Sequence, residues 1–185
     1  LEEKIKIFSS FKSYNSFFKS LGILIDQEKR KSFISNEIIK LSKSKKIKIN
    51  LKNDLLDEIT NIVEKPKILF CEFDKKYLTI PKEILIISMQ NHQKYFPTFD
   101  NKDNLTNNFI VIADKKDSKG LIRLGNERVI EARLNDAEFF WNKNRSQNLV
   151  KQVSKLKNIN YFKGLGTYFD KVQRIRKLCG IISDE

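Results

Sequence analysis

GNERVIEARLNDAEFFW, residues Gly125–Trp141, is the stretch around which the predicted fold is organised. Asn126 is a favourable N-cap, and Glu127 and Glu131 place negative charge near the positive end of a helix dipole. At about 100° per residue, one broad sector collects the apolar side chains Val129, Ile130, Ala132, Leu134, Ala137, Phe139, Phe140 and Trp141. A helix that is apolar over so much of its circumference is expected to be buried on more than one side.

Two charged residues, Arg133 and Asp136, fall inside this apolar sector. They are three positions apart, so their side chains can meet on one helix face. Charges seldom enter an apolar face unpaired, which favours a structural ion pair that fixes the helix to its neighbours. The alternative is an arginine that reaches a phosphate while Asp136 orients it.

Composition limits the class of protein. The 185 residues can bury a real core, and no apolar run is long enough to span a membrane. The opening LEEKIKIFSSF has no secretory signal, and the missing initiator Met suggests a piece of a longer polypeptide. Only two cysteines occur, Cys71 and Cys179, far apart, which suits buried thiols in a reducing cytosol.

The net charge of +13 indicates a polyanionic partner. A/T-rich codons offer a second explanation, because Lys, Ile, Asn and Phe are all abundant here and all have such codons. The charge alone therefore leaves two sources open, a nucleic-acid contact and genome composition.

Hydrophobic spacing predicts an α+β fold of mixed helices and a small, largely antiparallel sheet, followed by a helical segment. Helices are predicted over 2–20, 27–44 with Asp26 as a cap, 52–63, 81–92 and from 167 to the end, where Thr167 or Asp170 is the cap. Strands are predicted over 21–25, 45–50 as an edge, 67–73, and a hairpin of 94–99 with 105–112. Pro97 marks an edge position or a bulge in that hairpin.

Few residues suggest chemistry. His92 is the only histidine, and a lone histidine is either a general base or a helix-end side chain with a structural hydrogen bond. One His and two distant Cys cannot form a zinc site, and no P-loop occurs. Tyr95, Phe96 and Phe99 alternate with polar residues, as base-stacking platforms do, although half-buried strand residues give the same pattern. We therefore assign no catalytic residue.

Four motifs in register resemble one family. They are LLDEITNIVEKP (55–66), LTIPKEILIISMQNHQKYFP (78–97), GNERVIEARLNDAEFFW (125–141) and LGTYFDKVQRI (165–175). Together they resemble the β subunit of bacterial heterotetrameric glycyl-tRNA synthetase. The resemblance covers almost the whole chain from about Leu24 onward and places it in the N-terminal half of that subunit.

The resemblance implies a role in attaching glycine to tRNA. The family's β subunit pairs with an α subunit as α2β2 in the cytoplasm, and ATP and Mg²⁺ act at the aminoacylation site of the α subunit. No cofactor is expected on this fragment. Residues 1–160 would be similar to the B3/B4 region of the phenylalanyl-tRNA synthetase β subunit, an editing region there. Residues 161–185 would begin an HD-like helical domain.

The β subunit of this family mainly holds tRNA, so polar residues beside the hairpin and the helix start are the candidate RNA contacts. These candidates are His92, Gln93, Lys94, Arg123 and Arg128. Two rival functions remain. One is a hydrolytic editing pocket around His92, and the other is a structural scaffold with a scattered basic surface.

Overall fold

The computed structural model describes residues 6–183 and confirms the predicted α+β class. The chain divides into two compact units, Leu1–Phe139 and Phe140–Glu185. This boundary lies within the long fifth helix, earlier in the chain than the predicted 160/161 boundary. Similarity of the first unit to a B3/B4 region, and of the second to an HD-like domain, stays a prediction.

Within the described residues, the helices and strands follow the predicted order with a few changes. The α-helices are α1 (Phe11–Ser20), α2 (Gln27–Lys45), α3 (Asn53–Ile62), α4 (Lys82–Ile87), α5 (Leu121–Ser146), α6 (Leu149–Gln152) and α7 (Tyr168–Ser183). The strands are β1 (Lys48–Ile49), β2 (Lys67–Glu72), β3 (Phe96–Phe99), β4 (Leu105–Ala113), β5 (Asn160–Phe162) and β6 (Gly166–Thr167). Two 3₁₀ helices, Lys75–Thr79 and Val153–Asn158, and one π-helical turn, Ser88–His92, complete the described chain.

The sheet of the first unit has four strands in the order β1-β3-β4-β2, and every neighbouring pair is antiparallel. The β3–β4 hairpin confirms the hairpin prediction, and β1 lies at the predicted edge. The register shifts between Pro97 and Phe99, so the predicted irregularity at Pro97 is a bulge. A bulge there fits proline, which cannot donate a ladder hydrogen bond.

One face of the sheet packs against α2 and α3. Alternate residues of β3 and β4 point to this face, so Phe96 and Ile110, which are paired across the strands, both enter it. The buried cluster is Ile34, Ile38, Leu55, Leu56, Ile59, Val63, Phe96 and Ile110. Thr60 is also buried in α3, where its hydroxyl donates to the Leu56 carbonyl at 2.7 Å, so the polar atom is satisfied.

The opposite face of the sheet is aromatic. Phe109 of β4 lies between Tyr95 and Phe73, with ring centroids 4.9 Å and 6.3 Å away. Tyr77 and Met89 are also fully buried. The hydroxyl groups of Tyr95 and Tyr77 reach α5, and these contacts connect the helix to the aromatic face of the sheet.

Helix α5 begins at Leu121, upstream of the predicted N-cap. The Asp117 carboxylate accepts from the backbone N–H of Ile122 (3.1 Å) and Arg123 (2.8 Å), and these bonds satisfy the first turn. They also lower the pKa of Asp117, with the Arg123 N–H as the largest cause. The side chain of Asn126 is used elsewhere, because its Oδ1 accepts from the Tyr95 hydroxyl at 2.6 Å.

The expectation that this helix is buried on more than one side is wrong for the described chain. Only Ile130 and Leu134 of α5 are fully buried, while Val129 is 45% and Phe139 is 59% exposed. The physical reason is the contact geometry. The residues that contact the sheet recur every four positions, at Asn126, Ile130 and Leu134. The helix therefore meets the aromatic face of the sheet along one narrow stripe.

The predicted ion pair between Arg133 and Asp136 does not form. Both residues are exposed, and no salt bridge joins them within residues 6–183. Because this side of the helix is exposed to solvent, water solvates both charges. Neither charge then needs a partner to offset a loss of hydration.

Residues Leu21–Ile25 were predicted as a strand and instead form a turn and an extended connection. Gly22 has a left-handed φ of +79°, which starts the turn. The connection is not part of a sheet. Arg30 Nη1 donates to the Leu24 and Ile25 carbonyls, and the Leu24 N–H donates to the Glu64 carbonyl at 2.9 Å. Helix α1 starts only at Phe11, capped by Ser10 and Ser13, and the beginning of its predicted span lies outside the described residues.

The second unit contains α6, the β5–β6 hairpin and α7. Thr167 and Asp170 were the two alternatives for the cap of α7, and both take part: the Asp170 carboxylate accepts from the Thr167 N–H at 2.8 Å, and Thr167 Oγ1 accepts from the Asp170 N–H at 3.3 Å. None of residues 140–183 is buried. Among the helices that the structure describes, none combines the length and apolar character needed to cross a membrane.

Candidate nucleic-acid interface

The five candidate RNA contacts lie on two elements of the first unit. His92 ends the π-helical turn, and Gln93 and Lys94 lead from it into β3. Arg123 and Arg128 lie in the N-terminal part of α5. The π-helical turn and α5 are both tied to the aromatic face of the sheet, through Met89 and Tyr95 in the first case and Asn126 in the second.

The corner at residues 92–94 has a defined backbone. Lys94 adopts a left-handed φ of 58°, and the Tyr95 N–H donates to the Met89 carbonyl at 3.0 Å, which closes the end of the helical segment as a C-cap does. The Lys94 ammonium lies 2.9 Å from a carboxylate oxygen of Glu58 on α3. Part of its positive charge is therefore already balanced by an acid.

A cavity of about 230 Å³ brings Gln93 and Lys94 beside Asn126 of α5. Most of its remaining lining is apolar, from Ile59, Ile62, Val63, Val111 and Ile112. Its volume is below the roughly 300–1,000 Å³ of typical small-molecule sites. This cavity therefore favours a surface contact over an enclosed pocket, and neither Arg123 nor Arg128 is among the residues that line it.

The two candidate arginines lie among acids. Arg123 Nη1 is 3.2 Å from Glu127 Oε1, one helical turn away. Arg128 lines a groove of about 450 Å³ together with four carboxylate side chains, those of Glu72, Asp74, Glu127 and Glu131. A phosphate entering this groove would meet those negative charges, which weakens the case for Arg128 as a phosphate contact.

Glu127 has a structural role that the motif did not reveal. Its Oε1 atom accepts from the Glu72 N–H at 3.0 Å as well as from Arg123, so the carboxylate covers part of the outer edge of β2. Cys71, next in the strand, is 1% exposed. Burial raises the pKa of its thiol to about 12, and the negative charge of Glu127 adds to the rise.

Burial and side-chain partners bear on two further alternatives, base stacking by Tyr95 and Phe96 and general-base chemistry at His92. Tyr95 is 4% and Phe96 is 0% exposed, so these rings belong to the core and cannot stack on bases. His92 is exposed, and within residues 6–183 its imidazole has no hydrogen-bond or ion-pair partner. A general base needs an orienting partner, which His92 lacks here.

Comparison with known proteins decides the family. A family model described as "Glycyl-tRNA synthetase beta subunit" matches residues 1–185. The chain belongs to the glycyl-tRNA synthetase beta subunit family. This membership confirms the resemblance that the four motifs carried.

Curated relatives named "Glycine--tRNA ligase beta subunit" agree with this assignment. A Dictyoglomus thermophilum protein is 42% identical over 167 residues, which is 90% of this chain and 24% of the relative. A Lactiplantibacillus plantarum protein is 35% identical over 92% of this chain and 25% of its own length. A Syntrophomonas wolfei protein is 34% identical over 100% of this chain and 27% of its own. The chain thus spans about a quarter of the length of these family members.

Proposed function

We propose that this chain supports ATP-dependent attachment of glycine to tRNA(Gly) by binding tRNA and by assembling with an α subunit in an α2β2 enzyme. The observation that carries the proposal is the family match over residues 1–185. The aminoacylation site, with ATP and Mg²⁺, is assigned to the α subunit. We also assign glycine specificity to the α subunit, and we propose that the enzyme acts in the cytoplasm.

Within this function, the corner at His92, Gln93 and Lys94 remains a proposed RNA contact. Gln93 and His92 can meet a sugar or a base edge, and Lys94 can meet a phosphate once it leaves Glu58. Arg123 and Arg128 are proposed as weaker contacts because acids surround them. Reversing both charges, Arg123→Glu with Arg128→Glu, should lower tRNA affinity and reduce its dependence on salt.

The proposal is tested with the full-length β subunit, co-expressed with its α partner. Formation of glycyl-tRNA is measured with radiolabelled glycine, ATP and a tRNA(Gly) transcript, and tRNA binding is measured by filter retention. The complex is expected to bind and charge tRNA(Gly), whereas the α subunit alone is expected to bind tRNA poorly. Equal tRNA affinity with and without the β subunit would overturn the proposed role.

The hydrolytic alternative has a direct test in the same complex. Tyr95 and Phe96, which follow His92 in the chain, are buried in the core, and the exposed imidazole lacks an orienting partner among residues 6–183. We therefore expect His92→Ala to leave hydrolysis of mischarged tRNA(Gly) unchanged. A large loss of that hydrolysis, with glycine attachment retained, would favour the editing function.

A further inference from the structure

The two units differ in their balance of charge. Residues 140–185 contain ten Lys and Arg against three Asp and Glu, whereas residues 1–139 contain 26 against 20. Codon bias acts on both units alike and gives both a similar share of basic residues. The difference lies in the acids, which are scarce in the second unit, so genome composition does not explain it.

The one acid among residues 140–183, Asp170, is already engaged. Its carboxylate accepts from both the backbone N–H and the hydroxyl of Thr167, each at 2.8 Å, and caps α7. These bonds lower the pKa of Asp170, with the Thr167 N–H as the largest cause. The cap holds this charge at the start of α7, and the basic side chains around it greatly outnumber it.

Aromatic and basic side chains meet where the β5–β6 hairpin packs on α7. The rings of Tyr161 and Tyr168 lie edge to face, with centroids 5.3 Å apart, and the Lys171 ammonium is 4.2 Å and 5.8 Å from their centroids. Arg174, one turn along α7 from Lys171, donates from Nη1 to the Leu165 carbonyl at 3.0 Å. Lys163 is exposed in the hairpin turn.

We propose that this surface binds unpaired RNA nucleotides and is the principal tRNA contact of the chain, an inference that rests on the proposed function. We call it the hairpin platform and define it as Tyr161, Lys163, Tyr168, Lys171 and Arg174. Tyr161 and Tyr168, which are 37% and 40% exposed as whole residues, offer a ring face to a base, and the basic side chains meet the adjoining phosphates.

The chemistry of the platform favours RNA over other polyanions. An acidic protein surface would meet the charges, but it does not present a planar ring beside each negative charge for the tyrosine rings to stack on. Unpaired nucleotides present both a π face and a phosphate within one repeat, which matches rings with an ammonium held beside them. By contrast, Arg123 and Arg128 of the first unit offer charge beside acids and no exposed tyrosine platform.

The test uses the full-length β subunit in complex with its α partner and a tRNA(Gly) transcript, with the dissociation constant measured at several salt concentrations. The double variant Lys163→Gln with Lys171→Gln should bind tRNA more weakly. The magnitude of the slope of log affinity against log salt should fall by about one to two, because binding releases fewer counterions when fewer phosphates are neutralised. Tyr161→Ala should lower affinity roughly five- to a hundredfold with the slope unchanged, because it removes stacking and no charge.

The matched control is Lys115→Gln with Lys119→Gln, which removes the same charge from an exposed loop of the first unit. Tyr161→Phe is the control for the ring and should retain affinity. If the wild-type complex binds and charges tRNA while the platform variants match these controls, the platform is wrong and the proposed function stands. If wild-type β subunit adds nothing to tRNA binding, the proposed function itself fails. Loss of α-subunit co-purification with unchanged tRNA affinity would make the platform a protein interface and overturn the inference.

Discussion

At the residue scale, two asparagine–tyrosine hydrogen bonds explain how α5 is attached. The Tyr95 hydroxyl donates to Asn126 and the Tyr77 hydroxyl donates to Asn135, each at 2.6 Å. Both tyrosines are buried, so their hydroxyl groups need these partners. Two polar positions of the motif are thus used for specific contacts and not only for solvation.

The Tyr95–Asn126 bond gives the first prediction. Asn126→Ala leaves a buried hydroxyl without a partner and should lower the free energy of unfolding by about 1–3 kcal/mol, whereas Tyr95→Phe should cost less. Urea unfolding of the chain, followed by circular dichroism, measures both. Asn142→Ala, an exposed change on the same helix, is the control. If adding Tyr95→Phe to Asn126→Ala costs a further full increment, the two groups are not coupled.

The two cysteines give the second prediction. Cys71 is buried with its pKa raised to about 12, so at pH 8 only roughly one thiol in ten thousand would be ionised, and Cys179 is exposed. The native chain should therefore release one equivalent of chromophore with Ellman's reagent, and two after denaturation. Cys179→Ser should abolish the native signal, while rapid native labelling of that variant would contradict the burial of Cys71.

At the scale of elements, helix starts depend on residues outside the obvious pattern. Asp117 caps α5 from the preceding loop, whereas Thr167 caps α7 together with Asp170 of its first turn, and only these last two stood close enough to their helix to be identified. Asp117 was not predicted as the cap of α5, because it lies in a polar loop and Asn126, a favourable capping residue, lies nearer the apolar run. Local preference thus predicted Asn126 as the N-cap, whereas in the structure its side chain accepts a hydrogen bond from the Tyr95 hydroxyl.

The hairpin before α7 supplies a matched pair of glycines for the third prediction. Gly164 and Gly166 have left-handed φ values of 83° and 79°, so alanine at either should cost about 1–2 kcal/mol in backbone strain. At Gly164 the new methyl group meets open space, but at Gly166 it would collide with the Asp170 carboxylate. Gly166→Ala should therefore also weaken the α7 cap.

The measurement is amide hydrogen exchange of a peptide covering the start of α7. Gly166→Ala should speed exchange there roughly two- to thirtyfold more than Gly164→Ala, the equivalent of about 0.5–2 kcal/mol for a lost cap. Equal rates in the two variants would show that the Asp170 cap adapts to the added methyl group.

At the scale of the whole molecule, the two units differ in how they are stabilised. The first has a sheet covered on both faces, whereas no side chain of residues 140–183 is fully buried. Since local stability follows buried apolar contact, the second unit should open at a lower free energy.

Hydrogen exchange of the unmodified chain gives the fourth prediction. Amides of β2, β3 and β4 should exchange slowest, and those of α6, β5, β6 and α7 should exchange roughly tenfold faster or more, because local opening there costs less free energy. Phe96→Ala, which removes a fully buried ring at a cost of about 3–5 kcal/mol, should accelerate exchange in the sheet. If these three strands exchanged as fast as α7 in the native chain, this division would be contradicted.

The sequence by itself determined the α+β class, the β3–β4 hairpin with its bulge at Pro97, the helices α2 and α3, the cap of α7 and the family. These features depend on period, turn chemistry and motif, which are local. It did not determine how α5 is buried, because a helical wheel shows which side chains are apolar and not how many neighbours surround them. The Arg133–Asp136 pair failed for the same reason.

Only the tertiary structure decided which polar residues carry free charge. Lys94 looks like a phosphate contact in sequence, and the fold brings the carboxylate of Glu58 on α3 to within 2.9 Å of its ammonium. Arg123 differs, because its acidic partner Glu127, 3.2 Å away, lies four residues along the same helix. Glu58 is distant from Lys94 along the chain, so the pattern around Lys94 could not show that its charge is balanced. Side-chain electrostatics depends on distance in space, and packing between elements sets that distance.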